Sequence, residues 1–264
     1  MNNTKNVAEK KSNTPILIIG VVLVVALLAG WYLLSSPKTA TNTNGNTAKA
    51  NAANTTKPNT IPANAPQGAN PPNQQGSPTA LVTLEEFADF QCPQCGAVHP
   101  IMNEIKSTYG SRIRFIFRNY PLAIPAHDKS YNAAVACEAA GMQSPNKFFE
   151  MQNLLFTNQK AWTADPNYRT TWKDYAQKIG LDVAKWENDM AGIAAKSRVD
   201  EDMRRAKGMG INSTPTLYIN GVDVPFQQMN VTGLKALIDA ELAKAAPQNQ
   251  TAPAAPANTG NTNK

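Results

Sequence analysis

Cys92-Pro93-Gln94-Cys95 is the segment in which residue type and spacing most directly specify chemistry. It follows a run rich in Val, Leu and Phe and opens a helical pattern, so Cys92 falls at a helix N-terminus. Unpaired backbone N–H groups and the macrodipole stabilise a thiolate there. Cys95, one turn further in, is less exposed and close enough to close a disulfide with Cys92. Pro93 in the first turn gives up no needed hydrogen bond and fixes the local geometry. This arrangement supports thiolate attack on a partner disulfide, then resolution of the mixed disulfide by the second sulfur. Two other readings share the motif. One is a structural disulfide. The other is half of a zinc knuckle, with Cys137, His99 and His127 as the remaining candidate ligands.

The surrounding pattern says which elements must hold these residues. Residues 80–90 read as a strand, and 93–109 as a helix with Val98, Ile101, Met102 and Ile105 on one face. Residues 112–118 alternate and read as a second strand. Helical stretches follow at 128–140, 145–156, 168–179 and 183–207. Strands at 216–219 and 222–224 flank Asn220-Gly221, the preferred dipeptide of a tight type I′ turn, and a helix over 232–245 closes the pattern. The order is β-α-β, a helical block, a β-hairpin and a helix. That is an α/β fold whose sheet mixes parallel and antiparallel strands.

The 264 residues carry a net charge of +6, but the charge is not spread evenly. Residues 79–245 hold 18 Lys/Arg and 18 Asp/Glu, while the flanks hold seven lysines and one glutamate. A uniformly basic nucleic-acid-binding domain is therefore disfavoured, and no nucleic-acid partner is expected. Residues 16–34 contain no charge and match a transmembrane helix of about 28 Å, with Trp31 and Tyr32 at an interfacial level. A cleaved signal peptide is the competing reading, but no good A-x-A site follows. Either reading exports the remainder. The expected layout is a cytoplasmic N-terminus over 1–15, a single-pass anchor over 16–34 and a disordered linker over 35–77. A catalytic domain over 78–245 and a disordered tail over 246–264 follow.

Several stretches together resemble DsbA-like thiol:disulfide oxidoreductases, in particular the membrane-anchored BdbD-type branch. They are Val82-Thr83-Leu84-Glu85-Glu86-Phe87-Ala88-Asp89-Phe90-Gln91-Cys92-Pro93-Gln94-Cys95 with His99-Pro100, Phe117-Arg118-Asn119-Tyr120-Pro121-Leu122, and Ser213-Thr214-Pro215-Thr216-Leu217-Tyr218-Ile219-Asn220-Gly221. The resemblance covers about 77–243. It implies a thioredoxin-like fold with a helical insertion over about 122–207 and an enzyme that oxidises exported protein substrates bearing thiols. It also implies a quinone-linked integral membrane redox partner, and neither a cofactor nor a metal. Cys92 resembles the attacking cysteine and Cys95 the resolving one. Pro215 resembles a cis proline facing the disulfide, and Thr214 the residue whose backbone pairs with a bound peptide. Pro93 and Gln94 lie at the same substrate-facing turn. Glu86 resembles a buried acid that moves protons for the resolving thiol. Pro-Gln stands where the strongly oxidising members carry Pro-His, which implies a less depressed Cys92 pKa. A reductase or isomerase, and a thiolate metal-delivery module, are the alternative functions.

Other chemically capable residues read as structure. Cys137 lies in the stripe Ser130, Ala133, Ala134, Cys137, Ala140, the buried face of an Ala-rich helix. His127 reads as a cap or turn residue and His99 as a satisfied helical histidine. Asp200, Glu201 and Asp202 with Arg204, Arg205 and Lys207 read as a solvated helix face.

Overall fold

The computed structural model describes residues 59–245. The expected anchor over 16–34, the linker up to residue 58 and the tail over 246–264 lie outside the described residues. Among the described residues no helix is long and apolar enough to cross a membrane.

Five strands form one sheet in the order β1-β3-β2-β4-β5. These are β1 (Asn73–Gly76), β2 (Val82–Ala88), β3 (Ile113–Asn119), β4 (Thr216–Ile219) and β5 (Val222–Asp223). The pair β2·β3 is parallel and the other three pairs are antiparallel. Helix α1 (Pro93–Tyr109) makes the crossover between β2 and β3. Six helices separate β3 from β4: α2 (Ser130–Gly141), α3 (Pro145–Thr157), α4 (Gln159–Ala164), α5 (Tyr168–Lys178), α6 (Val183–Ala191) and α7 (Ile193–Gly208). Helix α8 (Val231–Ala245) ends the fold. The thioredoxin-like α/β arrangement with a helical insertion is thus present.

Central strands β2 and β3 are buried on both faces, and period-2 alternation sorts their side chains. Val82, Leu84 and Ala88 join the large apolar core with α1 and the insertion. Phe87 faces the other way, into a smaller cluster with Tyr120, Ala206, Met209, Ile211 and Tyr218. The two neighbouring glutamates are separated by the same alternation. Glu85 falls on the face carrying α7 and Glu86 on the face carrying α1. At the hairpin, Asn220 has φ 48° and Gly221 φ 80°, the two positive values that a type I′ turn requires.

Three expectations need correction. Residues 59–77 belong to the folded unit rather than to a linker. Ile61 N–H donates to Gly221 C=O at 2.9 Å beside β5, and β1 pairs with β3 at the opposite edge. Between those contacts, Arg205 donates to Pro66 C=O (2.7 Å), Arg118 to Ala69 C=O (2.9 Å) and Arg198 to Pro71 C=O (3.0 Å). A segment poor in apolar side chains is held here through its backbone. The helix expected over 183–207 is two helices, broken at Gly192, whose ψ of 174° is extended. The charged face of α7 is not wholly solvated. Asp202 is fully buried and accepts from Arg118 Nη1 at 3.0 Å, and Arg205 makes a two-pronged pair with Glu85 at 2.7 and 2.8 Å.

Candidate functional site

The turn between β2 and α1 brings Cys92 to the head of α1. Cys92 is the N-cap residue, with φ −67° and ψ 118°, Pro93 occupies the first turn, and no side chain caps the helix. Cys92 N–H donates to Asp89 C=O, and Gly96 N–H to Cys92 C=O, both at 3.1 Å. Cys92 is only 6% exposed, and Cys95 is fully buried. Both are free thiols. Facing them is the loop before β4, where the Thr214–Pro215 peptide bond is cis. The Cys92 thiol donates to Thr214 C=O at 3.3 Å. Four expected site residues, Cys92, Cys95, Thr214 and Pro215, therefore meet at one place. Gln94 is exposed beside them.

The two sulfurs are pushed in opposite directions. A hydrogen bond from Cys95 is the largest influence drawing the Cys92 pKa down to about 5, against the opposing effect of burial. The Thr214 side chain and the backbone N–H groups of Cys95 and Gln94 add to it. Burial, the bond to Cys92 and the charge of Cys92 hold the Cys95 thiol well above the ordinary value. The Thr214 hydroxyl is buried and has no protein acceptor or donor of ordinary geometry. It can therefore turn its hydrogen toward the thiolate once Cys92 loses its own proton.

Glu86, on the α1 face of β2, is buried, and its carboxyl is pushed up to about 7 by that burial, offset by the charge of Lys106. Burial likewise draws the Lys106 ammonium down, and Lys106 lies 4.8 Å from the centroid of the Phe115 ring. The charge of Glu86 contributes to raising Cys95. An acid that titrates near neutrality thus acts electrostatically on the buried thiol.

Behind the turn, the buried Asp89 carboxylate gathers four donors. They are Gln91 N–H (2.7 Å), Ser130 Oγ (2.5 Å), Leu122 N–H (2.8 Å) and His127 Nδ1 (2.7 Å). His127 is therefore a structural partner, as its position before the helix suggested. His99 is buried, bonded to Asn153 at 3.0 Å and Asn103 at 3.1 Å, and stacked on Phe156. The stripe carrying Cys137 is buried throughout. Asp89, Gln159 and Lys106 were not singled out from the sequence. For Asp89 the available signal was its position three residues before Cys92. For Lys106 it was a charge one turn beyond the apolar Met102 on the inner side of α1.

The sequence model of a family described as thioredoxin matches residues 70–240. The chain belongs to the thioredoxin family. Among solved structures, oxidised BdbD from Bacillus subtilis is 23% identical with a TM-score of 0.59, the match covering 68% of this chain and 98% of that one. Alpha-DsbA1 from Wolbachia pipientis is 19% identical with a TM-score of 0.58, over 67% and 94% of the two chains. These likenesses are of fold. A curated relative, the Na(+)/H(+) antiporter NhaA 1 of Mycobacterium sp. (strain KMS), is 37% identical over 149 residues. That stretch is 56% of this chain and 23% of the antiporter, so the chain spans under a quarter of that relative's length.

Proposed function

We propose that the chain is a DsbA-like thiol:disulfide oxidoreductase that runs in the oxidising direction and introduces disulfide bonds into exported proteins. The observation that carries the reading is the opposed pair of thiols, Cys92 low and Cys95 high, facing the Thr214–Pro215 loop. In the oxidised enzyme a substrate thiolate attacks Cys92 Sγ, the Cys92–Cys95 bond breaks, and Cys95 leaves and takes a proton. In this reading Glu86 supplies that proton, which its raised carboxyl and its charge effect on Cys95 support. A second substrate thiolate then attacks the substrate sulfur of the mixed disulfide, and Cys92 leaves as a thiolate. The substrate loses two electrons and two protons, and the enzyme's dithiol holds the electrons. A low-pKa thiolate is the better leaving group, so the mixed disulfide resolves toward a disulfide in the substrate. Cys92 also favours the reduced enzyme, which is what makes a couple oxidising.

The Thr214 backbone offers strand-like hydrogen bonds to an extended chain, a mode that tolerates varied sequences. In this reading the segment over 16–34 is a single-pass anchor, the domain lies outside the cytoplasm, and a quinone-linked integral membrane oxidase restores the disulfide. Trapping free thiols in growing cells by alkylation tests the direction. Cys92 and Cys95 are expected mostly oxidised, and Cys95→Ala is expected to accumulate covalent adducts with exported proteins. A pair found mostly reduced would overturn the oxidising direction in favour of a reductase or isomerase.

A further inference from the structure

Gln159 opens α4 in the helical insertion, 67 positions from Cys92, yet its side chain ends on the redox turn. Its Nε2 donates at 2.8 Å to Phe90 C=O and at 2.8 Å to Cys92 C=O. Both amide hydrogens are thus committed to the backbone on either side of the sulfur-bearing turn. The Cys92 carbonyl is also where the first helical bond of α1 lands, from Gly96 N–H. Helix α1 lacks a side-chain cap of its own. The approach is close enough that a side chain at the neighbouring position of α1 would displace the Gln159 amide. A Cβ placed at Gly96 would meet Gln159 Oε1 at 2.5 Å. Glycine weakens a helix interior relative to alanine, so its presence in the first turns of α1 needs a compensating reason. Leaving the Gln159 amide seated on the two carbonyls supplies such a reason.

We propose that Gln159 is a positioning residue for the redox turn: through it the insertion fixes the start of α1, and Gly96 stays bare to admit it. This rests on the reading of Cys92 as the reacting thiol. The link to chemistry runs through the backbone. The N–H groups of Gln94 and Cys95 are among those that stabilise the Cys92 thiolate, and they lie in the turn that Gln159 holds. Without the amide, the Phe90 and Cys92 carbonyls lose a donor and the first turn moves relative to the sulfur.

Two substitutions break the same contact from opposite sides. Gln159→Leu removes the donor, and Gly96→Ala displaces it while improving local helix propensity. The ultraviolet absorbance of the Cys92 thiolate is followed against pH in the reduced full chain, the two variants and the double variant, with thermal unfolding on the same samples. Each single variant is expected to move the Cys92 midpoint up by about half a unit, on the scale of one neutral hydrogen bond. The double variant is expected to move it no further, because one contact cannot be lost twice. An unmoved midpoint in Gln159→Leu overturns the proposal, even if unfolding shifts, because Gln159 then only packs. Additive shifts overturn it as well. A wild-type midpoint at the ordinary thiol value sinks the proposed function instead, so the two failures are read separately.

Discussion

Replacing Thr214 by valine removes one hydrogen and one oxygen function from the wall of the site at nearly constant shape. In the thiol state, Cys92 donates to Thr214 C=O at 3.3 Å. Once the proton leaves, that carbonyl has nothing to accept, and the buried Thr214 hydroxyl, unpaired in the thiol state, becomes the available donor. A hydrogen bond to a charged acceptor contributes about 1.5–3 kcal/mol, so its loss should raise the Cys92 midpoint from about 5 by roughly one to two units. The same change is legible in the redox equilibrium. At neutral pH a midpoint of about 5 leaves the thiolate favoured by roughly 100-fold, which for a two-electron couple is ~60 mV. Thr214→Val should forfeit about 30–50 mV of that and become less oxidising. Thiolate absorbance against pH gives the midpoint, and equilibration with glutathione buffers gives the potential. The buried, unpaired hydroxyl of the thiol state is removed along with the donor, so thermal stability should hold or rise. A midpoint and potential that both stay at the wild-type values would refute the assignment of the hydroxyl as a thiolate donor.

Gln94→His should lower the Cys92 midpoint, since Gln94 now contributes only its backbone N–H and a histidine adds a charged donor at the same exposed position; an unchanged or higher midpoint is the contrary result. Glu86→Gln should remove a near-neutral inflection from the pH profile of mixed-disulfide resolution by Cys95, measured by rapid quench, because the raised carboxyl is lost; an inflection that survives assigns it to another group. The Cys92 contribution to the stability of the reduced domain should grow as pH rises. The folded Cys92 midpoint lies below that of an unfolded thiol, so its contribution is complete above about 8.5 and is lost as pH falls through about 5. Urea unfolding of wild type against Cys92→Ser over that window reads the difference, and parallel curves would contradict it. Asp202→Asn should cost roughly 1–3 kcal/mol in urea unfolding because it weakens the charge-assisted bonds from Arg118 and from the Ala69 and Asn119 N–H groups, while Glu85 still pairs Arg118 and the thiol titration stays in place; a loss near zero would mean that the ionised carboxylate adds no stability over an amide.

What was legible in the sequence follows from which forces are local. The turn Cys92–Cys95, the span of α1 and the Asn220-Gly221 turn are written in neighbouring residues, and all three stand where their spacing puts them. Cys137 was readable because a helical stripe of small residues implies a buried face. Strand β1 was not readable, because Asn-Gln-Gln-Gly has no apolar alternation and is recruited by backbone pairing with β3 and by Arg114 of β3 and Arg198 of α7. Gln159 escaped notice for a similar reason. Its role is a side-chain-to-backbone bond across 67 positions, and a glutamine after a helix end carries no periodic signal. Asp202 and Arg205 looked solvated because charge patterns alone cannot say that a complementary charge waits on the facing strand.

The adjacent glutamates of β2 connect these two parts of the molecule. Glu85 is answered by two guanidiniums, Arg118 at 2.7 Å and Arg205 at 2.7 Å, and its carboxyl is held below the ordinary value despite burial. Glu86 has one distant cation, and burial raises it. Identical side chains one residue apart thus differ in charge state because the strand's alternation sends them to different faces. A slip of β2 by one position would exchange them. Glu85 would then turn to the α1 face without its arginines, and Glu86 to the face that carries Arg118 and Arg205. The cost of leaving those arginines unpaired opposes the slip. The ion network on the α7 face therefore bears on the thiols that it does not touch: it helps to fix the register that keeps Glu86, whose charge acts on Cys95, on the α1 face.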